Sequence, residues 1–586
     1  MKLKLLKISN FRAINGCKNE LHFKDNNIVF LFGKNNIGKS SVLHAYRYFA
    51  SPSQKPLITD FYNQNSDNKI IIEATFIKEV CDNDNFEAKG LNKWVSKQGE
   101  IRFRKTWSDF DAIAKKETFS IAEKSFVDGG FGGLEPILTN ATPNIIYIEA
   151  MPSVKSLTDW LEKEIKNKLL KKLKENHEAE YGAALNAIKA LQDKVEGEDY
   201  IGDISQSANK YFSQTFPDLQ LNIRSTPHKE ADLSKAFEKD FSVTIGNKIG
   251  DDEERLAEAV EAIEQLVSEQ QDEKQSTDRT FDLHGHGLIR QAIINILGLF
   301  KDSKDDEKHI ILFEEPEIYL HPSNKRKFRD TLYKIAEQDN YQIICVSHDP
   351  QLIDLSREHT SLARFVKLES EETVIYQAGD NVFSRDAETK DRVLMLNRFN
   401  PHVCETFFSD EVILVEGDTE AIVLRMLLSE NYPESDIFVL NTGTKNNIPF
   451  FIEVLSQFNI KQHIIHDSDE RYLYKNGKIR MKKNGEPKAN SAWTLNQIIW
   501  DSISRANVNG VLAKRYVSIR NFEDSHGYTH DTQKGKPLSA YEYAKSLSID
   551  DDGKSIICFL KQILDLQDSE VEFTPEYLEG VVIEPY

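Results

Sequence analysis

Apolar and polar positions change their rhythm several times along this chain, and each change marks a boundary. The opening "MKLKLLKISNFRAI" lacks the long apolar core of a signal peptide and reads as a strand. "IVFLF", "KIIIEATFI", "IRFRKTW" and "NIIYIEA" are further runs of strand length, and "IVFLF" enters a glycine turn followed by the helical pattern "SSVLHAYRYF". From Ser153 the period becomes four. Leu157, Leu161, Ile165, Leu169 and Leu173 recur between lysines and glutamates, and Leu185, Ile188 and Leu191 continue after Gly182. So narrow and long a stripe predicts an antiparallel amphipathic helix pair, read as a dimerisation arm rather than a helix packed on its own domain. The acidic helix and polar linker "DDEERLAEAVEAIEQLVSEQQDEKQSTDR" follow. Strands return in "HIILFEE" and "YQIICVS" around a helix through "KFRDTLYKIAEQ", and a second alternating unit opens at "EVILVEG". Alternation of this kind predicts an α/β protein with parallel sheets. The boundaries drawn are 1–152, 153–275, 276–400 and 405–586.

The bulk numbers narrow the classes. No apolar run in the 586 residues approaches the ~18 of a membrane span; the longest, around Ala292 to Phe300, has core-helix length, which excludes a transporter ATPase with its own spans. Five scattered cysteines (Cys17, Cys81, Cys345, Cys404, Cys558) show neither zinc nor disulfide spacing and suit a reducing cytoplasm. A formal net charge of -20 disfavours non-specific nucleic-acid binding, so a DNA partner requires a local basic patch.

Gly33 to Ser40 reads G-K-N-N-I-G-K-S, a complete phosphate-binding loop between strand and helix. The N–H groups of Gly33, Asn35, Asn36, Gly38 and Ser41 are placed to cradle a phosphate chain, Lys39 to reach the β/γ-phosphates, and Ser40 to ligate Mg²⁺. "HIILFEEPEIYLHP" supplies the acidic strand end such a loop requires: Glu314 to hold magnesium through water, Glu315 to orient the attacking water. His348, in "ICVSHDP", follows the next strand, where an imidazole can sense the γ-phosphate. Gly285 and Gly287 open the helix "HGHGLIRQAIINIL", a second anion-binding terminus. In this order the motifs, with "ISNFRAI" at the start, resemble the ABC-type ATPases of the SMC/RecF kind. There the loop of Gly285 and Gly287 caps the ATP of the opposite subunit, although it departs from the transporter signature Leu-Ser-Gly-Gly-Gln. The resemblance implies ATP sites shared within at least a homodimer.

"EVILVEGDTEAIVL" repeats the strand–turn–helix logic with an acidic payload, Glu416 at the strand end and Glu420 one turn later. "QHIIHDSDE" ends a second strand in Asp467 and Asp469. Carboxylates at neighbouring strand ends of a parallel sheet converge on one edge, and four of them together are explained by divalent cations with all-oxygen ligation, Mg²⁺ or Mn²⁺. A pair ~3.5–4 Å apart would clamp a scissile phosphate; the identity of the general base stays open. Directly after come Arg471, Lys475, Lys478, Arg480, Lys482, Lys483 and Lys488 around the hairpin signal Asn476-Gly477, the most basic stretch of the chain and the candidate DNA contact.

Strand–Glu-Gly followed by strand–Asp-x-Asp, with "FVLNTGTKNN" between, resembles a Toprim domain. An SMC/RecF-like ABC ATPase with a helical dimerisation insertion, fused to a C-terminal Rossmann-like Toprim parallel sheet, resembles the OLD (overcoming lysogenisation defect) family of nucleases. That resemblance implies an ATP-regulated, metal-dependent DNA endonuclease or nickase, homodimeric or homotetrameric, acting in phage defence beside a UvrD-like helicase, as in Gabija systems, or a retron reverse transcriptase with its DNA–RNA product. It further implies acids and a lysine completing the site: Glu523, with Asp524 as competitor, in a strand ending "VSIRNFEDSHGY", and Lys536, with Lys534 as competitor. Whether ATP licenses or restrains cutting stays open. The second reading is a non-nucleolytic, ATP-dependent DNA clamp for repair with the Toprim unit as a docking surface; a topoisomerase would need a tyrosine on a DNA-gate domain that is not evident.

Overall fold

A computed structural model describes residues 1–150, 308–379 and 401–581 apart from short interruptions, with scattered residues between 177 and 280. The chain divides into two compact units, Met1–Ala150 with Ile294–Tyr586, and Met151–Ile293. In the second unit the described residues include an antiparallel pairing of Thr244–Ile245 with Arg279–Thr280. Every leucine and isoleucine of the stripe in the expected dimerisation arm lies outside the described residues, as do Gly285 and Gly287.

Among the described residues, the first unit contains three sheets of four or more strands, besides a two-stranded hairpin. The N-terminal one is antiparallel, built from β1 (Lys2–Ser9), β2 (Asn19–His22), β4 (Ile70–Ile77), β5 (Glu100–Trp107), β6 (Lys115–Ser120) and β7 (Ser125–Asp128) in the order β2-β1-β4-β5-β6-β7. Its β5 alternates half-buried and buried residues along its whole length, the pattern of a sheet with one face on the core. Parallel pairing expected from strand–helix alternation therefore does not extend here, because successive strands of this sheet pair side by side without a crossover helix.

The second sheet takes β3 (Ile28–Phe32), β8 (Asn144–Ile148), β9 (His309–Glu314), β10 (Tyr341–Val346), β11 (Leu362–Lys367) and β12 (Thr373–Gln377) in the order β12-β11-β3-β10-β9-β8. All neighbours are parallel except β11 and β12. β3 and β10 are buried at every position, as central strands covered on both faces must be. Helix α1 (Lys39–Ala50) follows β3 and sends Val42, Leu43, Tyr46 and Phe49 into the core. Helix α2 (Pro322–Ala336) lies between β9 and β10.

The third sheet is wholly parallel: β13 (Glu411–Val415), β14 (Phe438–Asn441), β15 (Lys461–Asp467) and, later in the chain, Ala513–Ser518, in the order β14-β13-β15 and then Ala513–Ser518. Phe32, at the end of β3, packs against Phe407, Phe408 and Phe458 with ring centroids 5.6, 5.8 and 5.5 Å away. Arg364 of β11 is 2 % exposed, and its guanidinium donates to the carbonyls of Phe458 (3.0 Å) and Ser409 (2.8 Å) and to Asp410 (2.6 Å). Second and third sheets thus share one junction, at the strand that feeds the phosphate loop. Among the described residues, no helix is long and apolar enough to cross a membrane.

Candidate active sites

Parallel strands leave their C-terminal ends along one edge, and the second sheet gathers its motifs there. β3 delivers Gly33, β9 delivers Glu314 and Glu315, and β10 delivers Ser347 and His348. Gly33 has φ +145°, and a Cβ there would meet the Phe365 carbonyl oxygen at 2.4 Å, so only glycine fits. Lys39 is 4 % exposed and folds back on its loop, donating to the carbonyls of Gly33 (3.0 Å) and Lys34 (2.6 Å). Burial depresses its ammonium to about 8 against the opposing pull of Glu315 and Glu317. Ser40 and Ser41 lie in the first turn of α1, and the Ser41 N–H donates to Gly38. Asn36 sits at φ +60° beside the exposed Asn35.

At the acidic strand end, Glu314 accepts from the Tyr147 hydroxyl at 2.9 Å. Glu315 holds φ +44°, an unfavourable backbone for a residue with a Cβ, and one of its oxygens lies 3.2 Å from His348 Nε2. Burial, then the charge of Lys39, lowers the imidazole to about 4, so at neutral pH this contact faces a neutral histidine rather than a charged one. Sequence reasoning passed over Glu317. It is 6 % exposed and accepts from Ser347 Oγ (2.8 Å) and the His348 N–H (2.9 Å), fixing the turn that carries the histidine. The repeated acid in "EEPE" was its signal.

The third sheet builds the acidic site. Glu416 follows β13 and Asp467 ends β15, strands that pair in register, and the Asp467 N–H donates to Glu416 Oε1 at 2.8 Å. Glu420 lies in the first turn of α3 (Asp418–Asn431), one of its oxygens 3.3 Å from where a Cβ on Gly417 would stand. Glu416, Glu420, Asp467, Asp469, Glu523, Lys445 and Lys536 line one cavity of about 660 Å³. Burial, reinforced by Glu416, Glu420 and Asp469, raises Asp467 to about 9. Burial first, then Asp469 and Glu420 against the opposing Lys445, raises Glu416 to about 7. Glu420 is raised too, by burial and then Glu523.

Lys445 was missed by sequence reasoning. It stands in the turn between the two acidic strands, 6 % exposed, and donates to Asp469 Oδ2 at 2.6 Å and to the Asp467 carbonyl. Its signal was position: a lysine directly after Gly443-Thr444, at the same sheet edge as the acids. Among the described residues no three His, Cys, Asp or Glu side chains form a ready-made metal cage. The donor set is nevertheless all oxygen, as Mg²⁺ and Mn²⁺ prefer, and Mg²⁺ commonly takes one or two carboxylates and keeps several waters.

The strand expected to end in Glu523 and Asp524 stops at Ser518; both acids belong to the helical turn Phe522–His526, capped by Asn521, whose side chain accepts from the Asp524 N–H. Glu523 lines the cavity, whereas Asp524 pairs with Arg520 at 3.0 Å. Lys536 begins the helix Lys536–Ser546 and faces the cavity, while Lys534 pairs with Glu542 at 2.7 Å. The basic segment pairs Tyr474 with Ile479 and Lys475 with Lys478 antiparallel, with Asn476 and Gly477 outside the described residues. Lys475, Lys478, Arg480, Lys482 and Lys483 are all exposed.

Fold and sites define a P-loop ATPase joined to an acidic parallel-sheet domain of the TOPRIM kind. The chain belongs to the AAA ATPase domain family, whose model matches residues 1–353, and it carries an Overcoming lysogenization defect protein-like TOPRIM domain over residues 407–469. It is similar to the Old nuclease of Escherichia phage P2, 23 % identical over 495 residues that cover 80 % of this chain and 77 % of that protein. It is also similar to Endonuclease GajA of Bacillus cereus, 24 % identical over 468 residues, 76 % of this chain and 71 % of that one. The OLD nuclease of Thermus scotoductus is 27 % identical over 190 residues, 32 % of this chain and 35 % of its own length.

Proposed function

We propose that this chain is a DNA endonuclease or nickase that requires divalent cations and is governed by ATP at the phosphate loop, the effector of a phage-defence system of the Gabija or retron kind. The observation that carries the reading is the cavity in which Glu416, Glu420, Asp467 and Asp469 meet at one sheet edge, within a TOPRIM domain shared with proteins named as nucleases. When bound there, Mg²⁺ or Mn²⁺ supplies an activated water and stabilises the leaving oxygen of a phosphodiester. The four carboxylates hold that charge, Glu523 extends the set, and Lys536 at its helix start offers a cation to the phosphate. Lys475, Lys478, Arg480, Lys482 and Lys483 bind the DNA backbone without sequence preference. In the ATPase, the glycine cradle and Lys39 bind the phosphates, Ser40 and Glu314 hold Mg²⁺, Glu315 orients water, and His348 answers to the γ-phosphate.

ATP control is supported by the junction. Lys34, inside the phosphate loop, bridges Asp410 (2.8 Å) and Asp436 (2.7 Å), the residues that lead into β13 and β14. A shared-site homodimer or homotetramer completes the reading, with Gly285 and Gly287 capping the opposite subunit's nucleotide, and a UvrD-like helicase or a retron reverse transcriptase as partner.

One observation favours the second reading, an ATP-dependent DNA clamp. Lys445 already pairs with Asp469, and the described acids form no preassembled cage. Plasmid incubated with the protein and Mg²⁺ or Mn²⁺, with and without ATP, separates the two. Cutting that Glu416→Ala abolishes supports the nuclease, and Lys39→Ala reads the sign of ATP control. Intact plasmid under every condition, despite DNA binding, supports the clamp.

A further inference from the structure

The position of Lys445 raises a question of its own, since a cation fixed at a cation site either competes with the metal or prepares for it. Its backbone is bolted down. Gly443 takes φ +77° to turn the chain after β14. Thr442, fully buried, donates to the Val415 carbonyl at 2.8 Å, and Asn447 Nδ2 donates to the Thr442 carbonyl at 2.8 Å. The side chain lines the cavity yet is only 6 % exposed.

Its acceptors are equally constrained. Asp469 holds φ +60°, with its N–H on the Arg520 carbonyl at 2.9 Å. Ser468 before it is tied by the Asn496 amide to its carbonyl (2.8 Å) and by the Arg520 N–H to its hydroxyl (2.7 Å). Lys445 takes one oxygen of Asp469 and a backbone carbonyl, acceptors that leave the second Asp469 oxygen and both carboxylate oxygens of Asp467 unused by it. A displaced lysine would give up Asp469 and leave the Asp467 carbonyl with His466 Nδ1 (2.8 Å) alone.

We propose that Lys445 is a positioning residue of the acidic site, a permanent part of its wall that holds Asp469 at its left-handed turn and offsets the carboxylates' repulsion so that they accept a divalent cation. This inference rests on the reading of the cavity as a cation site. Outer-sphere hydrogen-bond partners of metal-ligating carboxylates are typically worth about 10–100-fold in metal affinity.

The test titrates Mn²⁺ calorimetrically into the full chain without nucleotide, taking as the site signal the binding that Glu416→Gln removes. Lys445→Met is expected to weaken that binding by about 10–100-fold, and Lys445→Arg to recover part of the loss, with thermal melts in chelator reporting folding. Should Lys445→Met fail to fold, Lys445→Gln, which keeps a donor for the buried Asp467 carbonyl, takes its place with the same expectation. Mn²⁺ binding as tight as wild type, or tighter, in the folded Met or Gln variant overturns the positioning role and makes Lys445 a competitor of the metal. Wild-type protein indistinguishable from Glu416→Gln overturns the cation site itself, and the inference with it.

Discussion

Asp467 is where the acidic cavity is under most electrostatic stress, because burial and three neighbouring carboxylates keep it protonated up to about pH 9, with Glu416 held to about 7. Both values lie above the ordinary carboxylate range near ~4, so between those limits the folded, metal-free chain carries protons that the unfolded chain has released. Its stability therefore falls as pH rises from about 4 through about 9, and a bound cation, which favours the ionised forms, cancels the loss. Melting temperature in chelator is expected to drop across that window and to recover with Mg²⁺. Mn²⁺ affinity should rise on the order of a thousandfold from pH 6 to pH 8, about a hundredfold from Asp467 and about tenfold from Glu416, with proton release measurable in buffers of different ionisation enthalpy. In the ATPase, Glu315→Gln keeps the shape but removes the charge facing neutral His348. ATP hydrolysis should fall by ~100-fold or more while nucleotide binding persists; hydrolysis near the wild-type rate would remove Glu315 from its water-orienting role. At this scale the motif residues were legible because their spacing is local. Lys445 and Glu317 were not, since each acts through partners more than twenty residues away in the chain.

Strands and turns set how far one site can feel the other. Arg364 on β11 and Lys34 after β3 meet on Asp410, one at each oxygen, and Asp410 leads directly into β13, with Glu416 just beyond its far end. Lys39 holds the Lys34 carbonyl while the Lys34 side chain holds Asp410 and Asp436, so a change of partner at Lys39 reaches the third sheet through one residue. Asp410→Asn is expected to leave ATP hydrolysis near wild type and to reduce the difference between cutting rates with and without ATP, whichever its sign, by about fivefold or more. An unchanged ATP response would show that the signal runs elsewhere. Arg364→Ala removes a buried charge and strands two carbonyls; denaturant unfolding should report a loss of about 3 kcal/mol, against near-neutral values for exposed lysines of the basic hairpin. Strand runs such as "IVFLF" and "YQIICV" were readable because central parallel strands are apolar throughout. The fate of "FEDSHG" was not: Asn521 caps a helical turn there, and a capping side chain overrides the strand pattern preceding it.

For the whole molecule, the -20 net charge sets the terms on which the proposed DNA substrate would be met. On that proposal, attraction would come from the exposed hairpin against the repulsion of the remaining surface, so binding should be steeply salt-dependent. Replacing Lys482 and Lys483 by glutamate is expected to lower DNA affinity at least tenfold at ~0.1 M salt and to flatten the log–log salt slope by roughly two; an unaltered slope would place the DNA elsewhere. Sheet order at this scale lay beyond pattern reading. Nothing local in "NIIYI" says that it pairs with a strand starting at His309. The cluster of Phe32 with Phe407, Phe408 and Phe458 has a practical corollary for anyone dividing this protein. A fragment starting near residue 405 would carry three phenylalanines stripped of their cover and a stretch of backbone that had leaned on Arg364. It would tend to self-associate, and inactivity in such a preparation would speak of a missing foundation, not of missing chemistry.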